Sequence, residues 1–170
     1  MVMTVLLKID TWLAKISEVL LLVLGIPFFA ALMVEVLMRK LANHSLFGVY
    51  ELDGYIAIWI SMLGAYLAYR KMELARLTSL INKLSLHWRH RVQVLNRMLI
   101  LIALLILGIS GILFILSPAV ATQKSVSFGI PIIYAYLGIP VGIFLMAYET
   151  FLRVLIKDRD KLDEEMEGIE

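Results

Sequence analysis

MLILIALLILGISGILFILSPAVATQ, running from Met98 to Gln123, is a stretch of twenty-six residues without one charged side chain. After Lys124 a second uncharged stretch of twenty-four residues runs from Ser125 to Tyr148. A helix rises about 1.5 Å per residue, so about 20 apolar residues cross the roughly 30 Å hydrocarbon layer of a bilayer. A helix also satisfies its own backbone where no water can. The solvent of this chain is therefore lipid.

Two shorter uncharged runs of sixteen residues each, Val19 to Val34 and Gly54 to Tyr69, become full spans once their flanks are included. Glu18, Glu35, Glu51, Asp53 and Arg70 then fall near span ends, where charges reach the interface. Across all 170 residues the hydrophobic share is 61%, against about 45–50% for soluble domains. These features predict an all-α, integral membrane four-helix protein. Its single transmembrane domain covers 1–157, with spans at about 17–37, 50–70, 98–118 and 130–156. An acidic tail, 158–170, is expected to be solvated. The first apolar run exceeds the roughly 7–15 residues of a signal-peptide core and is read as a retained anchor.

Two connecting segments carry helical stripes. Leu74, Leu77, Ile81 and Leu84 predict an interfacial amphipathic helix over about 73–86. Val5, Leu6, Ile9, Trp12, Leu13 and Ile16, interrupted by Lys8, Asp10 and Lys15, make a similar stripe over about 3–16. An interfacial segment and an extension of the first span fit this stripe equally well.

Four spans place both termini and the middle connection on one side of the membrane. Of the sixteen lysines and arginines, all but Arg39, Lys40 and Lys124 fall on that side, which the positive-inside rule makes cytoplasmic. A net charge of +2 argues against a nucleic-acid partner. Cysteine is absent, which removes disulfides, thiolate nucleophiles and cysteine-ligated metal centres. His44, His87 and His90 lie in connections rather than in the helix core where axial haem ligands project. No cofactor is expected, and no catalytic residue.

Transporters that act alone bury ionisable groups near mid-bilayer. Here no charge sits at mid-span. Glu35 is spaced i,i+4 from Arg39, and Glu149 from Arg153, so each has a ready partner on its own helix. The second span has Ala57, Ser61, Gly64 and Ala68 on one face and Tyr55, Trp59, Met62, Tyr66 and Tyr69 nearly opposite. Small residues admit a close backbone and aromatic ones offer dispersion area, so two different neighbours are implied. Gly138 and Gly142 flank Pro140 in the fourth span, and Gly108, Ser110 and Gly111 mark the third. These are read as packing sites rather than a broken-helix ligand site, because no inverted repeat accompanies them.

The order Arg39-Lys-Leu-Ala-Asn43, Tyr50-Glu51-Leu52, Trp59, Leu63-Gly64-Ala65 and Arg70 resembles the small membrane subunit of tripartite ATP-independent periplasmic (TRAP) transporters. Ser127-Phe-Gly-Ile-Pro131, Ile139-Pro140-Val-Gly142 and Leu145-Met146 are similar to that family's last helix. Leu74 stands where the family often has a histidine, and Val49 and Tyr50 where it commonly has a tryptophan. The resemblance implies a division of labour. A periplasmic binding protein captures an organic acid, of the sialic acid or C4-dicarboxylate class. A large multi-span membrane subunit moves it with sodium ions, and the small subunit braces that subunit's static scaffold. On this reading the chain sits in a bacterial inner membrane, Trp59, Tyr66, Gly64, Pro140 and Gly142 form the subunit interface, and Glu51 and Arg39 orient its outer end. Phospholipid covers the remainder, and the outer loops reach the binding protein. The competing reading is a self-contained small transporter or channel, a homo-oligomer built through the glycine motifs.

Overall fold

The first apolar run and the amphipathic segment before it form one unbroken helix, α1 (Val2–Leu41), in the computed structural model, which describes residues 2–41, 48–72 and 86–155. Between Thr11 and Leu24 there is no glycine or proline to break it. The segment over 3–16 is thus the extension of the span. Its 40 residues make a rod of about 60 Å, roughly twice the hydrocarbon thickness.

Two further long helices follow, α2 (Val49–Met72) and α3 (Leu86–Leu116). α3 stops where a proline forces the preceding residue to be extended: Ser117 has φ −63° and ψ 144°, and Pro118 opens the short α4 (Pro118–Ala121). The chain then turns back. Lys124 and Pro131 pair in an isolated antiparallel bridge, closed by Ser125 N–H to Ile130 O at 2.8 Å and Gly129 N–H to Ser125 O at 3.0 Å. Gly129 takes φ +67°, a left-handed conformation that a side chain would resist.

This turn moves the start of the last span from the expected residue 130 to α5 (Ile133–Tyr136), which Leu137 joins to α6 (Gly138–Leu155). Leu137 keeps helical angles, φ −56° and ψ −27°, so the two pieces act as one span. Pro140 sits in the first turn of α6, where a missing N–H is tolerated. The predicted surface helix over 73–86 falls outside the described residues except at its last position, and so does the acidic tail.

Among the described residues, four helices are long and apolar enough to cross a membrane, Val5–Leu41, Val49–Lys71, Val94–Leu116 and Ile133–Leu155. The fold is all-α. Contacts run from α1 to α2, from α2 to α6, and from α6 to α3. The described parts of α1 and α3 share no comparable contact, so the lateral order is an open row, α1–α2–α6–α3. Its core is thin. Leu63, Tyr66 and Leu67 of α2 and Ala147 and Leu152 of α6 are buried, while most large side chains of α1 and α3 face outward.

Glycine sets the spacing in the middle of the row. A Cβ on Gly142 would lie 2.8 Å from Met62 Cβ, and one on Gly138 would lie 3.2 Å from the Trp59 ring. Across the next seam, a Cβ on Gly108 would lie 3.0 Å from Phe144, while Gly111 faces Pro140. The glycines of the third and fourth spans therefore pack inside the chain.

Candidate subunit interface

The seven residues expected at the interface divide by where α2 sits. Because α2 has neighbours on both sides, its aromatic stripe is satisfied within the chain. Tyr66 has no exposed surface, and its hydroxyl lies beside the Asp10–Arg70 pair. Tyr66 therefore presents no surface outside the chain. Trp59, half-buried, donates its indole N–H to Tyr134 O at 2.9 Å, next to the junction of α5 and α6. Pro140 and Gly142 are buried against α3 and α2, which likewise takes them off the outer surface.

Gly64 faces α1, with Leu21 Cδ1 3.7 Å from where its Cβ would be. Glu51 is half-buried and holds the turn between α4 and α5. Its Oε1 accepts from Val126 N–H at 3.0 Å and its Oε2 from Ser127 N–H at 2.9 Å. Two backbone donors aimed at one carboxylate make charge-assisted bonds. Arg39 is exposed in the last turn of α1. Glu35 is buried one turn earlier, beside the buried Asp53 of α2.

At the opposite end, arginines fasten the row. Arg70 of α2 meets Asp10 of α1 at 3.0 Å. Arg153 of α6 donates through Nε to Glu149 Oε1 at 2.7 Å and through Nη2 to Arg70 O at 2.8 Å. Arg97 of α3 donates to Arg153 O at 2.7 Å. The last carbonyls of a helix have no partner within it and carry the negative end of its dipole. Arg70 and Arg153 stand in the last described turns of α2 and α6, so each bond ties one helix to a backbone oxygen of the next. Tyr148 adds a bond to Leu6 O at 3.2 Å, and Tyr69 shares a 2.7 Å bond with Thr150.

The i,i+4 pairing of Glu149 and Arg153 is readable from spacing alone. Asp10 is not, yet a signal exists: it lies on the opposite side of the N-terminal helix from Lys8, Trp12 and Lys15. A charge on the buried face of an amphipathic helix asks for a partner.

From Gly54 to Ala68 the exposed residues of α2 are all small. Gly54, Ser61, Ala65 and Ala68 are exposed and recur at helical spacing, so they share a face. Of the expected small face, Ser61 and Ala68 therefore point outward while Gly64 turns to α1. Among the described residues, no group of three or more histidine, aspartate or glutamate side chains could hold a metal ion.

The profile of the family described as "Tripartite ATP-independent periplasmic transporters, DctQ component" matches residues 28–159. A comparison with curated proteins gives no match. The matched stretch takes in α2, α3 and α6 with the turn that Glu51 holds, and the last fourteen residues of α1. The chain thus belongs to the DctQ component family of the tripartite ATP-independent periplasmic transporters.

Proposed function

We propose that this subunit braces the large membrane subunit of its transporter, with the small-lined face of α2 as the line along which the two meet. The observation that carries this reading is the open row. A layer one helix thick encloses no passage, and its ionisable groups in the described spans lie toward helix ends, several of them bound to neighbouring helices. Such a layer can stiffen a neighbour. It has nowhere to hold cargo.

As a transporter component, the chain is not an enzyme. Small side chains let helix backbones approach closely in lipid, where association relies on packing. The face of Gly54, Ser61, Ala65 and Ala68 has that character, with Trp59 and Tyr66 supporting it from behind. Sodium-coupled uptake of an organic acid, of the sialic acid or C4-dicarboxylate class, belongs on this reading to the large subunit. The turn held by Glu51 carries the exposed Val126 and Phe128 and offers the periplasmic binding protein a contact. This places the arginine-rich end and both termini in the cytoplasm.

The competing reading, a homo-oligomeric channel joined through glycine motifs, loses its basis because Gly108, Gly138 and Gly142 pack inside one chain. The test is co-purification with the large subunit. Ser61→Trp and Ala65→Trp should each abolish it while leaving the helical circular dichroism of the isolated subunit intact. Retention of the large subunit by both variants assigns the contact to another face.

A further inference from the structure

The first four turns of α1 have two unlike sides. Asp10, Ala14 and Ser17 are buried against the row. Directly opposite stand Val5, Lys8, Ile9, Trp12 and Lys15, all exposed, with Trp12 at 69%. Nothing in the described chain covers this side.

Its depth follows from the arginine fastening. Asp10 is fixed to Arg70 near the end of α2, where that span leaves the hydrocarbon. Lys8, Trp12 and Lys15 lie within about 8 Å of Asp10 along the helix axis. They therefore stand at headgroup level, where tryptophan settles and lysine extends its ammonium toward phosphate.

Charge chooses the occupant. Arg70, Arg97 and Arg153 are turned inward on carbonyls and carboxylates, whereas Lys8 and Lys15 flank Trp12 on the open side. Lysine is depleted from the core of protein–protein contacts. Two lysines and a tryptophan above an apolar strip suit an anionic phospholipid.

We propose that the exposed side of α1 around Lys8, Trp12 and Lys15 is a binding face for anionic phospholipid. The two ammonium groups take the phosphate and the headgroup charge, while Val5, Ile9 and the indole rest on the upper acyl chains. The proposal is independent of the transporter assignment, since it needs only the depth and the charge.

The test uses the full chain in vesicles of brominated phosphatidylglycerol or brominated phosphatidylcholine, each diluted in the unbrominated form of the other. The quenching assigned to Trp12 is the difference between wild type and Trp12→Phe. Preference for phosphatidylglycerol over phosphatidylcholine should exceed tenfold, from about fivefold per lysine. In Lys8→Gln/Lys15→Gln it should fall to about parity, with thermal unfolding unchanged because both side chains are exposed. Equal quenching of wild type by the two lipids overturns the proposal. So does loss of all Trp12 quenching when the large subunit is co-purified, which would make this side a protein contact.

Discussion

Arg153 shows how much one side chain carries in so thin a protein. It neutralises Glu149 on its own helix, donates to the Arg70 carbonyl of α2 and offers its own carbonyl to Arg97 of α3. Arg153→Ala leaves the Glu149 carboxylate, with no exposed surface, facing a lost counter-charge. Removing one partner of a buried pair costs about 3–5 kcal/mol, so a marked drop in the unfolding temperature of the detergent-solubilised subunit is expected. Arg153→Lys should recover little, because one ammonium cannot span two acceptors in a fixed fork. Glu149→Gln/Arg153→Met should recover more than either single change. At the other end, Glu51→Gln should accelerate amide hydrogen exchange at Val126 and Ser127 while the middle of α3 stays protected. Unchanged exchange there would show that the turn holds itself. Local pairing of this kind is legible in a sequence when partners sit four residues apart. Asp10 and Arg70, sixty residues apart, meet only because α1 continues past the membrane.

At the scale of elements, the contact between α2 and α6 rests on absent side chains. Gly142→Ala sets a methyl group 2.8 Å from Met62 Cβ, with Met62 O 3.1 Å away, and the backbone oxygen cannot swing aside. Overpacking of this sort costs about 1–3 kcal/mol, measurable as lower thermal stability. Gly64→Ala, with 3.7 Å to the tip of Leu21, should leave stability nearly unchanged. A reversed order of these two effects would mean that α1, not α6, is the tighter neighbour. The spans are legible from uncharged length and the aromatic stripe of α2 from periodicity. What periodicity omits is the neighbour. Trp59 and Tyr66 read equally well as facing another subunit, and only the position of α2 inside the row turns them inward. The late start of the last span has a similar cause. Ser125 to Ile132 is uncharged, yet Gly129 and Pro131 give it a turn before any helix begins.

For the whole molecule, an open row has two broad apolar faces and almost no interior. The isolated subunit reconstituted in vesicles should therefore move no organic acid, with or without a sodium gradient. Substrate-dependent flux from this chain alone would overturn the bracing function. The family match covers residues 28–159 and thus leaves out the first 27, which include Asp10 and the lysines beside Trp12. Fastening through arginine also has a chemical corollary. Guanidinium stays protonated at every pH a cell meets, and peptide oxygen has no proton to gain in that range. Two of the links between helices, Arg97 to Arg153 O and Arg153 to Arg70 O, join guanidinium to peptide oxygen in this way. A frame built on histidine would loosen on acidification at that end, and neither of these two links contains one.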